Sequence, residues 1–152
     1  MFKSHLDDRY DGVLQISSHD GQQVDAVPVL SSVQVAEHVK PSVQVVAVDE
    51  AQFLDDGIIG VVNDLADRGV RVIVAGTDMD FRGEPFGPMP QLLVIAELVD
   101  KLHAICVVCG DLATRNQRLI DGRPTPAERP TIQVGGSESY EARCRRWIPA
   151  TP

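Results

Sequence analysis

The clearest pattern of apolar and polar positions lies between residues 42 and 75. Residues 42–48 form a short valine-rich run, which predicts a strand buried on both faces, as in a parallel sheet. Apolar side chains then recur at helical spacing over residues 58–66, and Gly69 follows as a C-terminal cap. Residues 70–75 predict a second strand. The pattern therefore indicates a βαβ unit with a right-handed crossover, whose strands end at the edge where open α/β sheets bind ligands.

The rest of the chain is less regular. The pattern predicts a strand at residues 13–17, short helices at residues 31–38 and 91–102, and an ordered loop at residues 77–90. Beyond residue 103 the character changes to short strand-like runs separated by turn residues. These runs cover residues 104–108, 113–119 and 131–134. We therefore predict an α/β core at residues 1–103 and a second, smaller module at residues 104–152.

The amino-acid composition and net charge exclude some classes of function. The 152 residues are 43% apolar and carry a formal net charge of −8, which is typical of a globular domain and argues against binding a nucleic acid polymer. No window is apolar enough to span a membrane, and the N-terminus does not resemble a signal peptide, so we expect a cytoplasmic protein. Three cysteines, two of them in a Cys-x-x-Cys pair, favour metal binding over disulfides.

An acidic pair, Asp49 and Glu50, follows the first predicted strand of the βαβ unit. Carboxylates at the end of a buried strand are typical of a site that holds magnesium and acts on a nucleophile during phosphoryl transfer. Acidic residues also commonly end strands and cap the following turn, and this second interpretation stays open on the motif alone.

The cysteine spacing predicts a structural zinc site. Cys106 and Cys109 have the spacing of a zinc knuckle, and Cys144 belongs to a second knuckle. The position three residues after Cys144 is Trp147 instead of a ligand. Ordinary buried thiols are the alternative interpretation. Gly135 and Gly136 similarly favour either a hairpin turn or a loop that approaches a ligand closely.

Five short segments of the chain occur in a characteristic order and at characteristic spacings. They are Val48-Asp49-Glu50-Ala51-Gln52-Phe53, Arg71-Val72-Ile73-Val74-Ala75-Gly76, Asp80-Phe81-Arg82-Gly83-Glu84-Pro85-Phe86-Gly87, Cys106-x-x-Cys109 and Val134-Gly135-Gly136-x3-Tyr140-x3-Cys144-Arg145. Together they resemble the thymidine kinase family that carries a zinc-bound lasso, over nearly the whole chain. The resemblance implies a parallel sheet of the P-loop NTPase, RecA-like class with a small zinc-ribbon-like lasso module, and a tetrameric assembly.

The resemblance also implies residue roles. Glu50 is the general base toward the nucleoside 5′-hydroxyl, and Asp49 helps to hold the magnesium of MgATP. The implied ATP site comprises Arg9, Asp49, Glu50, Ala51 and Gln52. The implied pocket for thymine and its lasso comprise Phe53, Phe81, Phe86, Thr131, Ile132, Gln133, Val134, Gly135 and Tyr140. Zinc on Cys106, Cys109 and Cys144 would fix the base of the lasso.

Two departures from the family pattern affect the expected activity. The family has a strand, a phosphate loop and a helix upstream of the strand that starts here at Met1, and no Gly-x-x-x-x-Gly-Lys-Ser/Thr occurs in the sequence. We therefore expect a core without its first strand and helix, no phosphoryl transfer by the chain alone, and zinc held weakly because Trp147 is not a ligand. The alternatives are an inactive nucleoside-binding paralogue and a zinc-ribbon interaction protein.

Overall fold

The computed structural model describes residues 1–4, 15–17, 22–126, 128–132 and 139–148. Its helices are α1 (Ser32–His38), α2 (Gly57–Asp67) and α3 (Met89–Ile95), and a short 3-10 turn covers Ala51–Phe53. Its strands are β1 (Phe2–Ser4), β2 (Gln15–Ser17), β3 (Gln23–Asp25), β4 (Val27–Val29), β5 (Val45–Asp49), β6 (Arg71–Val74), β7 (Ala104–Ile105), β8 (Leu112–Ala113), β9 (Arg115–Ile120), β10 (Arg123–Pro124) and β11 (Tyr140–Arg143). The chain divides into two compact units.

The first unit comprises Met1–Asp78 and Phe86–Ala96. Its sheet has the order β4-β1-β5-β6, and every neighbouring pair is parallel. In register, Phe2 pairs with Val27 on one side and with Val48 on the other, while Val48 also pairs with Val74. The predicted βαβ unit is thus β5-α2-β6. The mixed α/β fold with a parallel sheet, expected from the sequence, is confirmed.

Helix α2 packs against this sheet through one apolar stripe. Ile58, Val62 and Leu65 are buried at helical spacing, and Gly69 follows the helix with φ 80°, a conformation that glycine adopts without strain. The buried apolar side chains of the unit form one cluster. Its members are Phe2, Val29, Val35, Val46, Val48, Ala51, Leu54, Ile58, Val62, Leu65, Met89 and Leu92.

A carboxylate joins the starts of the first two helices. Asp55 accepts hydrogen bonds from the Ser32 backbone N–H at 2.8 Å and from the Ser32 hydroxyl at 2.6 Å. It also accepts one from the Gly57 N–H at 3.0 Å. The Ser32 bonds, first from its hydroxyl and then from its backbone, lower the pKa of Asp55. The negative charge therefore lies at the N-termini of both α1 and α2, where the helix dipoles favour it.

The second unit comprises Met79–Pro85 and Glu97–Pro152. Strands β10, β9 and β11 form an antiparallel sheet in that order, and β7 pairs with β8 as a separate hairpin. A small buried cluster of Cys106, Ala113 and Cys144 lies at this hairpin. Within the described residues, no helix is both long and apolar enough to cross a bilayer.

Several predicted elements differ from the structure. The strand predicted at residues 104–108 ends at Ile105. The helix predicted at residues 91–102 ends at Ile95, and Ala96 is already extended at φ −70° and ψ 135°. Leu98 and Leu102 are 83% and 90% exposed, so these residues provide no buried face that would stabilise further helical turns. In the strand predicted at residues 131–134, Thr131 and Ile132 lie outside any strand, and the other two residues lie outside the described part of the chain.

Candidate functional site

The acidic pair lies at the carboxyl end of β5. Asp49 is the last residue of the strand, and Glu50 follows with a left-handed backbone, φ 53° and ψ 41°. The Glu50 N–H donates to the Asp49 carboxylate at 3.0 Å, and the Ala51 N–H donates to the Ala75 carbonyl, at the end of β6, at 3.1 Å. A left-handed conformation is uncommon for glutamate and is often found at functional sites. The backbone thus fixes both carboxylates at the sheet edge.

Gln52 connects Glu50 to the loop after β6. Its side chain is 4% exposed, its Nε2 donates to the Glu50 carboxylate, and its Oε1 accepts from the Thr77 N–H at 3.0 Å. The loop returns close to the same residue, because a Cβ atom on Gly87 would lie 2.3 Å from the Gln52 carbonyl oxygen. Gln52 therefore holds the Glu50 carboxylate in a fixed position.

Two of the predicted aromatic pocket residues are in contact. The rings of Phe53 and Phe86 meet edge to face, with centroids 5.6 Å apart and an interplanar angle of 88°. Both belong to the first unit and are half-buried. Phe81 belongs to the second unit and is buried there between two guanidinium groups, with Arg82 at 4.7 Å and Arg118 at 5.3 Å from the ring centroid. Such cation–π contacts hold the ring in place.

The same two arginines bind the segment that leads into the predicted lasso. Arg82 donates to the Thr131 hydroxyl at 2.7 Å and to the Arg129 carbonyl at 2.6 Å, and Arg118 donates to the Pro130 carbonyl at 2.7 Å. Arg82 is anchored by Asp80, which accepts at 2.7 Å. Residues 129–131 are therefore fixed by the side chains of Arg82 and Arg118, for which the sequence predicted no role.

Three cysteines lie together in the second unit. The sulfurs of Cys106, Cys109 and Cys144 all lie within 4.8 Å of one another, and those of Cys109 and Cys144 are 3.7 Å apart. All three are free thiols. In tetrahedral zinc sites with Zn–S bonds of about 2.3 Å, neighbouring sulfurs are separated by about 3.8 Å, so the cluster fits zinc in both geometry and donor type.

Local hydrogen bonds make one of the cysteines acidic. Desolvation raises the pKa of Cys106, but hydrogen bonds from the backbones of Cys144, Val108 and Cys109 outweigh it and lower the pKa to about 6. A backbone hydrogen bond from Asp111 lowers the pKa of Cys109, but desolvation and the neighbouring sulfurs raise it to about 11. Because zinc binds the thiolate form, the backbone around Cys106 favours metal binding.

Trp147 takes the place of a fourth zinc ligand in the second knuckle. Its backbone N–H donates to the Cys144 carbonyl at 3.0 Å, which closes the turn expected of a knuckle, and its side chain is 47% exposed. The indole offers an N–H donor but no lone pair for a metal. Among the described residues, the set of ligand atoms that lie within 4.8 Å of one another contains the three sulfurs and nothing else.

A comparison with protein-family models matches residues 1–148 to the family described as thymidine kinase. This match covers nearly the whole chain. The chain belongs to the thymidine kinase family. Thymidine kinases are phosphotransferases, so the family supports a kinase-type function, and the three close cysteines are consistent with the expected zinc module.

The structure leaves part of the predicted thymidine kinase site undescribed. Arg9 of the implied ATP site and residues 133–135 of the implied lasso, Gln133, Val134 and Gly135, lie outside the described residues. Thr131 and Tyr140 are half-buried, and Ile132 is exposed. The role of Arg82 and Arg118 in positioning residues 129–131 was not predicted from the sequence. The signal for Arg82 was present, since it lies inside the quoted Asp80–Gly87 motif, whereas nothing in the sequence marked Arg118.

Proposed function

We propose that this member of the thymidine kinase family transfers the γ-phosphate of ATP to the 5′-hydroxyl of thymidine or deoxyuridine. The reaction would supply precursors for DNA synthesis in the cytoplasm, where both substrates are present. The observation that supports it most is the position of Asp49 and Glu50 at the carboxyl edge of the parallel sheet, with Glu50 held by its left-handed backbone and by Gln52.

The two carboxylates have different roles in this proposal. Glu50 accepts the proton of the 5′-hydroxyl while the nucleoside oxygen forms its bond to the γ-phosphorus, and the bond from that phosphorus to the β-phosphate oxygen breaks to release ADP. Asp49 binds the magnesium ion that accompanies ATP. Ala51 and Gln52 complete the turn at the nucleotide, and the contact from Gln52 keeps the base oriented. We assign Arg9 to the phosphate oxygens by its match to the family motif.

We propose that the aromatic residues and the lasso recognise the base of the nucleoside. Phe53 and Phe86 already present a preformed apolar corner, and Phe81 is assigned to the pocket by its motif. The lasso, residues 131–135 with Tyr140, would bind the pyrimidine edge through its backbone. The hydrogen bonds from Arg82 and Arg118 support this role, because they fix the point where the lasso begins.

We propose that Cys106, Cys109 and Cys144 hold a structural zinc ion that stabilises the lasso module. The metal would have a folding role, because it would cross-link the β7-β8 hairpin to the end of β11. With three thiolates and Trp147 at the fourth knuckle position, the site binds zinc more weakly than a four-thiolate site. The assignment of residues 1–103 to the kinase core and of residues 104–152 to the lasso module stays a prediction.

We also propose that the protein assembles as a homo-oligomer, a tetramer by analogy with the family. Several apolar side chains are strongly exposed, among them Val94, Leu98 and Leu102. If they form a contiguous patch when the chain is assembled, another chain would cover it, since contiguous exposed apolar patches mark interaction surfaces. Sedimentation analysis of the purified protein tests this proposal, and a monomer at micromolar concentration would contradict it.

The main test separates binding from transfer. Titration calorimetry of the 152-residue protein should show binding of thymidine and deoxyuridine, with weaker or no binding of deoxycytidine and deoxyadenosine. Because these residues contain no phosphate-loop motif, we expect transfer from radiolabelled ATP once an upstream phosphate loop is supplied in the same chain. Binding without transfer in both proteins would favour an inactive nucleoside-binding paralogue, and absence of any nucleoside binding would contradict both functions.

A further inference from the structure

The zinc cluster needs a fourth donor if the metal is to be enclosed by protein. Structural zinc sites are almost always four-coordinate and tetrahedral, and the three sulfurs of Cys106, Cys109 and Cys144 fill three positions. Trp147 supplies none. Neither His103, which precedes the hairpin in sequence, nor Asp111 belongs to the set of ligand atoms that all lie within 4.8 Å of one another, so a fourth ligand must turn toward the sulfurs to bind.

Asp111 is fixed beside the first knuckle by its backbone. Its carbonyl accepts from the Cys106 N–H at 2.8 Å, and its backbone forms a hydrogen bond to the Cys109 sulfur. These two contacts hold the Cα atom of Asp111 against both knuckle cysteines. The residue is therefore positioned by the same turn that positions the first two thiolates.

The Asp111 carboxylate lies at ligand distance from one sulfur. Its Oδ2 is 3.7 Å from the Cys109 sulfur, the same separation that joins Cys109 to Cys144. In a tetrahedral site with Zn–S bonds of about 2.3 Å and a Zn–O bond of about 2.0–2.2 Å, a sulfur and an oxygen ligand are about 3.6 Å apart. The oxygen is thus placed as expected for one edge of a coordination tetrahedron.

Space is available for the carboxylate to complete the site. An open cavity of about 480 Å³ is lined by Asp111 and Cys144, together with Leu112, Thr114, Arg145 and Arg146. Because Asp111 is exposed and lines this cavity together with Cys144, open space separates its side chain from the Cys144 side of the site. Carboxylate oxygen is an accepted zinc ligand alongside thiolate.

We propose that Asp111 is the fourth zinc ligand of this protein and that it takes over the position which Trp147 leaves without a donor. The site is then three thiolates and one carboxylate, and it binds zinc more weakly than a four-thiolate site. This inference rests on the proposed zinc site and is independent of nucleoside binding and phosphoryl transfer.

The first experiment measures zinc affinity by competition with a chromophoric chelator. Asp111→Asn keeps the shape of the side chain but removes the anionic ligand, so the zinc dissociation constant should rise at least on the order of 10- to 100-fold. Asp100→Asn, which removes the same charge from another exposed position in the second unit, should leave the constant within about twofold of wild type. His103→Asn tests the competing donor and should have no effect.

The second experiment uses a replacement ligand. Trp147→Cys supplies a thiolate at the usual knuckle position, so zinc should bind more tightly, and Asp111→Asn should have no effect in that background. Cobalt substitution gives an independent readout, because the intensity and energy of the d–d bands depend on the number of thiolates. Wild type should show a three-thiolate spectrum, and Asp111→Cys should convert it to a four-thiolate spectrum.

The outcomes distinguish this inference from the zinc site itself. A wild-type protein that binds neither zinc nor cobalt overturns the zinc proposal. A wild-type protein that binds zinc with an affinity unchanged by Asp111→Asn, and with a cobalt spectrum unchanged by Asp111→Cys, overturns the role of Asp111 alone. If Asp111→Asn fails to fold, the Asp111→Cys spectrum decides, since a three-thiolate spectrum in that variant contradicts the proposal.

Discussion

The guanidinium of Arg82 donates a 2.7 Å hydrogen bond to the hydroxyl of Thr131, across 49 positions of sequence. Arg82 is largely buried and is held by the carboxylate of Asp80, whose side chain is 4% exposed. The bond therefore ties the start of the proposed lasso to the loop that carries Phe81.

We expect Arg82→Met to destabilise the second unit by about 3 kcal/mol, because it leaves the buried Asp80 carboxylate without its partner. Amide hydrogen exchange at Arg129 and Thr131 should accelerate, because the segment opens more readily once the Arg129 carbonyl and the Thr131 hydroxyl lose their donor. Arg82→Lys should restore the charge but little of the protection. The control is Arg123→Met, which removes an exposed arginine from β10. Unchanged exchange in Arg82→Met would show that other contacts hold the segment.

Glu50→Gln should abolish phosphoryl transfer in a chain that includes a phosphate loop. The substitution removes the proton acceptor but keeps the size of the side chain, so turnover should fall on the order of 10²-fold or more while thymidine binding stays within a few-fold. Glu37→Gln, on the exposed face of α1, is the matched control. Retention of more than about a tenth of wild-type turnover would exclude Glu50 as the base.

Asp55→Asn should destabilise the first unit by about 1 kcal/mol at pH 7, the size expected for loss of a good helix-capping carboxylate. The pKa of Asp55 is lowered in the folded protein, chiefly by Ser32, so its contribution is present above the ordinary value of 3.8 and disappears as the pH falls through the folded pKa. Chemical denaturation at several pH values should show the stabilities of the two proteins converging once the pH falls below the lowered pKa of Asp55. A difference independent of pH would contradict a role for the charge.

The control for this experiment is Asp67→Asn. Asp67 is the last residue of α2, where the helix dipole disfavours negative charge, so its removal should be neutral or slightly stabilising.

Gly87→Ala should destabilise the site more than Gly69→Ala. Both glycines have positive φ, 51° and 80°, but the new Cβ would lie 2.3 Å from the Gln52 carbonyl oxygen at Gly87 and would meet nothing within 4 Å at Gly69. We expect a loss of about 1 kcal/mol at Gly69 from the backbone conformation alone, and roughly 2–4 kcal/mol at Gly87. Thermal unfolding of both variants measures the difference. Equal losses would show that the loop at Gly87 relaxes freely.

The local pattern of apolar and polar residues was sufficient to predict the β5-α2-β6 unit. Each element there is a contiguous apolar run or stripe, so the period of the sequence predicts the element type directly. The prediction that the first strand is buried on both faces was wrong, because β5 buries Val46 and Val48 on one face while Val45 is 55% exposed. The same reasoning failed for residues 96–102, because helical spacing alone does not create a surface for the apolar face to cover. Exposed Leu102 shows that a periodic stripe without a partner is not a helix.

Long-range contacts could not be predicted in this way. The Arg82–Thr131 bond joins residues 49 positions apart and has no periodic signature. The Asp111–Cys109 approach is local, but it depends on the irregular turn between the two residues and has no periodic signature either. The acidic pair and the cysteine knuckle were accessible from sequence because their chemistry requires a fixed local spacing. Their supporting side chains follow no such spacing, so only the three-dimensional arrangement identifies them.

The position of β1 affects how the protein is made. β1 precedes β4 and β5 in the chain, yet it lies between them and pairs with both. Phe2 therefore cannot find its partner Val48 until that residue has also emerged, and β6 must follow before the sheet is complete. Until β5 has been synthesised, one edge of β1 has no partner strand, and chaperones or neighbouring nascent chains can bind such an open edge. The sheet of the first unit is therefore completed only after the segment through β6 has been translated.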